Sequence, residues 1–481
     1  MKDQIIKLQK ASELLEPLPY IREQVRSSVI NYTEDFLESL KQQKAFTLDE
    51  NKGAGIYNYP PTEEPVEIDL LIDGLKNSID KPALNPASAG HLGYIPGGGL
   101  YYSALGDYIA DITNRYAGIF FASPGAVRME NMLLKWMSEI VGYPLESGGN
   151  LTSGGSIGNL TAIVTARDSF NLKGKDLEKS VIYFTRQTHH SIDKAIRIAG
   201  LGECIIRYVP VDSYYRLNSQ KLEEAIKTDR LNGLNPWMVI ASAGTTDTGA
   251  VDPAVEISGI ASKYNLWFHL DGAYGAFFNL SNEGKKILKG LNESDSIVMD
   301  PHKGLFLPYG TGAVLIKNRQ QMAKSHQYNA NYMQDTLSSI DELSPADLSP
   351  ELSKHFRGMR LWLPIKLLGL KPFRAALDEK ILLARYFYEK ISQIPGFEVG
   401  NYPDLSVVTY RYIPKKGDAN EFNKKLVEEI QKDGRVFISS TVLNEKFMLR
   451  LAVLSFRTHL DTIDLALELL KEKANFLEKQ F

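Results

Sequence analysis

Cys204 is the one cysteine in a chain of 481 residues. That scarcity excludes an internal disulfide and any zinc site built from several thiolates, and it suits a reducing compartment. Charge of one sign is missing as well: 55 Lys and Arg stand against 58 Asp and Glu, a formal net charge of -3. Without a global basic excess there is little to draw nucleic acid or an anionic membrane, so a small molecule is the expected partner. No apolar run approaches the roughly 20 residues that a membrane-spanning helix needs. The opening "MKDQIIKLQKASELLEPLPY" mixes charges into its apolar residues, where a secretory signal would keep an unbroken apolar stretch. The expected location is the cytoplasm. Repeats and low-complexity tracts are absent too.

What is present is ample core material, with 43% hydrophobic and 23% charged residues, as in a globular protein of two or three domains. The first ninety residues read as helical stretches around a polar linker, "DENKGAGIYNYPPTEEP", and an arm of this size is expected to pack on a larger body or on a second copy of the chain. From about 130 to 320, helical patterns alternate with short β-branched runs such as "SVIYFT", "PWMVIASAG", "LWFHLD", "DSIVMD" and "GAVLIK". That alternation predicts βαβ units and a mostly parallel sheet covered on both faces. Function in such sheets gathers at the carboxyl ends of the strands. Residues 326–353 are polar and without sustained period, which predicts a long loop, either a lid or a disordered tether. The remainder reads as a smaller α+β domain ending in a helix.

Four places at predicted strand ends carry chemistry. In "LTSGGSIGNL", Ser153, Gly154, Gly155 and Ser156 precede a helical run whose free N–H groups suit a phosphate, although an ordinary capped helix would read the same way. No Gly-Lys-Ser/Thr closes that loop, so it is not a Walker loop. Asp271 in "WFHLDGAYG" follows an apolar strand, and a carboxylate buried there needs a cationic or donor partner. His189 and His190 follow "VIYFT", where a lone histidine would more often be structural. Lys303 in "DPHKG" sits in the joint between two apolar runs, an unusual place for a side chain that prefers solvent.

Two chemistries compete for these residues. Gly154 to Gly158 satisfy G-x-S-x-G, and Ser156, Asp271 and His302 follow the chain order of a hydrolase triad. A nucleophile elbow requires a buried strand running into the serine, and "ESGGNLTSGG" reads as too polar and glycine-rich to form one; Lys303 and the histidine pair would also be left over. Pyridoxal phosphate uses all four places: an anion site, a flat stacking surface, a carboxylate for the pyridine nitrogen and an amine for a Schiff base.

"TSGGSIGNL", "THHSIDKA", "AGTTDTGAVDP", "HLDGAYG" and "DPHKGL", in this order, resemble the group II decarboxylases of pyridoxal phosphate fold type I, most of all their aromatic L-amino acid branch. The resemblance implies an α/β large domain with a mostly parallel seven-stranded sheet between helices, a small C-terminal α+β domain and a helical N-terminal arm. It divides the chain into an arm at 1–90, a cofactor-binding domain at 91–373 with a mobile catalytic loop at 326–353, and a small domain at 374–481. It makes Lys303 the Schiff-base lysine, Asp271 the partner of the pyridine nitrogen and His189 the ring-stacking histidine. It further places Gly155, Ser156 and His302 at the phosphate, Thr246 along the cofactor and Ala273 beneath its ring.

The same resemblance implies a homodimer with active sites at the interface, and a loop tyrosine that protonates the substrate's Cα, with Tyr332 favoured over Tyr328. The implied reaction is decarboxylation of an L-amino acid, aromatic by branch, to an amine and carbon dioxide. An acidic amino acid as substrate, an aldehyde synthase of the same fold and a serine hydrolase using Ser156 are the alternatives. Some positions depart from the family pattern. Asp300 stands where several aromatic-branch members carry Asn, Gly304 stands where a tryptophan is often found, and Gly97 replaces a substrate-side threonine of that branch.

Overall fold

A computed structural model describes residues 1–327 and 342–480. The N-terminal arm begins with helices α1 (Lys2–Ser12) and α2 (Pro19–Ser39), neither of which buries a side chain in the monomer. Their apolar residues are left open, with Leu14 and Leu15 at 85% and 84% exposure just after α1. No helix among the described residues is long and apolar enough to cross a membrane.

The body is a seven-stranded sheet. Its strands are β1 (Gly148–Thr152), β2 (Ser180–Phe184), β3 (Ile205–Tyr208), β4 (Asn235–Ser242), β5 (Trp267–Asp271), β6 (Ser296–Met299) and β7 (Gly312–Ile316). They lie in the order β1-β7-β6-β5-β4-β2-β3. Neighbours β6, β5, β4, β2 and β3 pair in parallel, whereas β7 runs antiparallel to both β6 and β1.

Helices α3 (Pro124–Val141), α4 (Gly155–Ser169) and α5 (Ser191–Ile198) come early in this body. Strand alternation separates two apolar clusters. Val239, Phe268, Leu270 and Ile297 face one side with α3, while Met238, Ile240, Trp267 and Val298 face the other with α4 and α5. Each fully buried side chain of this size contributes roughly 2 kcal/mol. Both faces are thus apolar, as a parallel sheet under two helical layers requires.

The C-terminal part carries β8 (Phe397–Val399), β9 (Val407–Tyr412), β10 (Ser439–Leu443) and β11 (Lys446–Ala452) in an antiparallel sheet of order β8-β9-β11-β10. Helix α6 (Lys371–Ile391) joins the two bodies. Phe373, Leu377 and Ile381 pack with the large sheet's core, and Leu383, Phe387 and Ile391 pack with the small sheet's core.

The reading of "ESGGNLTSGG" as unable to form a strand is corrected here: Gly148–Thr152 is β1, paired residue for residue with β7. Its polar residues are tolerated because the interior supplies partners. Lys354 Nζ, fully buried, donates to Asn150 Oδ1 and Glu130 Oε2, both at 2.8 Å, and to the Leu151 carbonyl at 3.3 Å.

Lys354→Met should strand the Glu130 carboxylate and cost about 3–5 kcal/mol, read as a lowered urea midpoint. Adding Glu130→Gln should return much of that loss. An unchanged midpoint in the single variant would show that Lys354 does not hold β1 in place.

Candidate active site

The carboxyl ends of three strands, at the same end of the sheet, bring the chemistry together. Strand β6 ends at Met299; Asp300 caps a short turn, Pro301–Gly304, and that turn presents His302 and Lys303 before the chain returns through β7. Proline at the first position suits such a turn because the missing N–H would have had no partner there. Strand β1 leads directly into α4, whose first-turn N–H groups lack intrahelical acceptors. Strand β5 ends on Asp271.

The close approach of these segments depends on glycine. A Cβ on Gly312 would come within 2.6 Å of Gly154 Cα, and one on Gly155 would lie 3.1 Å from Ala273 Cβ.

A cavity of about 640 Å³ opens where these ends meet. Asp271, Ala273, His302 and Lys303 line it from the β5 and β6 side, with Gly155, Ser156, His189 and Thr246 around the rest. His190 is exposed, its ring centroid 4.1 Å from that of His189. Tyr328 and Tyr332 lie outside the described residues.

Asp271 is 8% exposed. Its partners are neutral donors: Asn159 Nδ2 gives a hydrogen bond to Oδ2 at 3.0 Å, and the Ala273 N–H gives one to Oδ1 at 3.1 Å. His189 Nδ1 accepts from the Ser191 N–H at 3.2 Å and lies 2.8 Å from Ser191 Oγ. Burial is the chief cause that lowers the His189 pKa, with nearby Asp271 opposing it. His302 Nδ1 donates to the Thr311 carbonyl at 2.6 Å, and burial lowers its pKa as well.

Asp300 is 1% exposed. Its Oδ2 accepts from the Gly155 N–H at 3.1 Å and stands 3.3 Å from Lys303 Nζ, while Oδ1 has no partner among the described residues. A serine-hydrolase triad is not assembled. Among the described residues no hydrogen bond joins Ser156 to His302, and the Nε2 face of His302 turns toward Asp300 at 3.7 Å.

The Pyridoxal-dependent decarboxylase conserved domain matches residues 73–413. The chain belongs to that family. It is 34% identical to an aromatic-L-amino-acid decarboxylase of Bacillus atrophaeus over 83% of this chain and 87% of that protein. It is 31% identical to tyrosine decarboxylase 2 of Arabidopsis thaliana over 81% and 74%. The crystal structure of Oryza sativa TDC with PLP and tryptamine superposes with a TM-score of 0.90 at 25% identity, covering 96% of this chain and 99% of that one. The decarboxylase therefore uses pyridoxal phosphate, and the fold is that of the pyridoxal phosphate-dependent decarboxylases, as the motifs implied.

The residues present fit that cofactor. The cavity offers a primary amine at Lys303, a buried carboxylate with remaining acceptor capacity at Asp271, an imidazole face at His189 and a glycine-lined helix N-terminus at the head of α4.

Sequence reasoning missed several polar groups of this site. Arg450 on β11 lines the cavity from the small domain; its Nε donates to the Asp247 carbonyl, its Nη1 to Ser439 Oγ, and its Nη2 has no partner among the described residues. A single arginine inside the apolar run "FMLRLAVL" was the available signal. Asn159 and His269 were missed too. Trp267, His269 and Asp271 alternate along one face of β5, a period that would have placed His269 beneath the carboxylate.

His269 is fully buried, and burial pushes its pKa down to about 4. A histidine whose folded pKa lies below the unfolded 6.5 costs stability once pH falls below 6.5, because the unfolded chain takes up the proton first. Between pH ~6.5 and ~4 the wild type should lose on the order of 3 kcal/mol that His269→Gln does not lose. Parallel pH profiles of the denaturant midpoint for the two proteins would show His269 to be outside this linkage.

Proposed function

We propose that this decarboxylase converts an aromatic L-amino acid to the corresponding amine and carbon dioxide. The observation that carries the reading is the meeting of Lys303, Asp271 and His189 on the walls of one cavity with the N-terminus of α4. Aromatic specificity is supported by relatives named as aromatic-L-amino-acid, tyrosine and tryptophan decarboxylases, and by Tyr94 and Ile95 on the cavity wall.

In this reading Lys303 Nζ would carry the cofactor, the Asp271 carboxylate would accept from the pyridine N–H, and the His189 ring would stack on the cofactor ring. Gly155 and Ser156, with His302, would hold the phosphate, Thr246 would line the cofactor, and Ala273 would pack against its ring. Bound pyridoxal phosphate supplies an electron sink for the pair left on Cα when carbon dioxide departs. The chain's own work is to hold Asp271 as an acceptor, to orient the imidazole of His189 and to return a proton to Cα. Tyr332 is the residue we propose for that proton.

The exposed apolar residues of α1 and its neighbours support a homodimer in which the arm clasps a second copy, because such surface is seldom left to water. A cytoplasmic homodimer, divided near residues 90 and 373, is the assembly we propose.

The purified protein should show a visible absorbance band that borohydride removes and that Lys303→Ala lacks, and it should release amine from an aromatic L-amino acid. Aldehyde and ammonia in place of amine would reassign it as an aldehyde synthase, for which a phenylacetaldehyde synthase relative at 27% identity supplies the precedent. Amine from glutamate or aspartate alone would overturn the aromatic specificity.

Asp300 gives a second test, because its carboxylate takes the Gly155 N–H at the place proposed for the phosphate. Asp300→Asn keeps an acceptor there and removes the like charge. It should tighten cofactor binding by roughly 3- to 10-fold at low salt, with less effect at high salt. Weaker binding would show that pairing with Lys303 is the greater contribution of Asp300.

A further inference from the structure

Behind the cavity wall lies a file of buried polar groups whose donors and acceptors can be assigned without ambiguity. Asp271 Oδ2 can only accept, so Asn159 must turn its amide nitrogen toward it, at 3.0 Å. The second hydrogen of that nitrogen goes to Ser191 Oγ at 3.2 Å. Asn159 Oδ1 is thereby left facing His269 Nε2 at 2.9 Å, and as it too can only accept, Nε2 carries the proton.

Burial keeps His269 neutral near pH 7, so Nδ1 has a free lone pair and accepts from the Ser296 hydroxyl at 2.8 Å. Ser296 Oγ in turn accepts from Trp267 Nε1–H at 2.8 Å. Trp267 can only donate. Every bond therefore points one way, from an indole in the core to a carboxylate at the cavity.

The file branches at Asn159. Ser191 accepts from Asn159 through Oγ, and its own hydroxyl proton is directed to His189 Nδ1 at 2.8 Å, where the Ser191 N–H also donates. One amide group thus feeds both Asp271 and His189. Asn159, His269 and Ser191 are each buried, so water does not substitute for a lost link.

We infer that Asn159 and His269 are positioning residues: the chain Trp267, Ser296, His269, Asn159 holds Asp271 as the acceptor that the cofactor's pyridine N–H requires and, through Ser191, fixes the tautomer and orientation of the His189 ring. The inference rests on the cofactor roles proposed for those two residues and adds how the protein enforces them. Geometry supports a shared device. Trp267, His269 and Asp271 share one face of β5, His269 pairs directly with Ser296 on β6, and Asn159 reaches down from α4 onto the same face. A branched chain with a fixed direction polarises along its length, so breaking it at Asn159 should disturb both termini at once.

The test uses the full-length chain with histidine labelled by ¹⁵N, with and without pyridoxal phosphate. The ring nitrogens of wild-type His269 should report a neutral imidazole protonated on Nε2 from pH ~6 to ~8, and those of His189 an unprotonated Nδ1. Asn159→Asp keeps the shape of the side chain but removes the NH₂ donor. It should change the His189 signals and lower kcat by at least about 10-fold, with KM within about 3-fold. His269→Gln retains an amide donor near Nε2 and should recover most of the kcat that His269→Leu loses.

A proton on His269 Nδ1 in the wild type would overturn the inference, and that measurement stands even if a variant fails to fold. Folded Asn159→Asp enzyme with unaltered His189 signals and kcat within twofold would overturn it as well. Absence of the borohydride-sensitive band in the wild type would instead sink the cofactor assignment to Lys303, while the tautomers of His269 and His189 would still decide whether the chain exists.

Discussion

A carboxylate at the end of a buried strand has to be given donors, and much of the architecture around the cavity answers that one demand. Asp271 is almost wholly removed from water, and no ion pair among the described residues relieves it. An unpaired buried carboxylate would cost several kcal/mol. The protein meets the demand with a backbone N–H two residues on and with an asparagine from α4. That choice keeps the carboxylate from being neutralised by a fixed cation and leaves acceptor capacity directed at the cavity.

The same economy explains the glycines and the short turn. Strands β1, β6 and β7 converge so that the head of α4, Asp300 and the turn bearing Lys303 occupy a few ångströms of space. Side chains at Gly155 or Gly312 would push these segments apart. Lys303 then stands between two buried strands because the antiparallel return of β7 leaves the turn at the cavity floor, and Asp300 receives both its ammonium and the Gly155 N–H. The proximity of a lysine, an aspartate and a helix N-terminus is thus a product of sheet order.

Much of this was legible in the chain. Strands alternating with helices, apolar residues on both strand faces and five motifs in order carried the sheet, the cofactor and the residues lining the cavity. Strand β1 was not legible: "GGNLT" has too little apolar character to read as a buried strand, and it is held by β7 and by Lys354, more than two hundred residues away. Arg450 was hidden for a similar reason, because a charge in a small-domain strand acquires meaning only once β11 is docked against the cavity. Asn159 and His269 were readable as types but not as partners, since 110 residues separate them in sequence.

The sequence by itself determined the class of chemistry, because a lysine, an aspartate and a histidine at strand ends, with a glycine-led helix start, are local patterns set by strand period and turn residues. It also determined which face of β5 carries polar groups, through simple alternation. Tertiary structure alone decided which donor meets which acceptor: the direction of the Asn159 amide, the tautomer of His269, the sharing of the Gly155 N–H with Asp300 and the presence of Arg450 at the cavity. Hydrogen-bond direction depends on the chemistry of both partners at about 3 Å, and groups far apart in the chain reach that distance only when the sheet and its helices have packed.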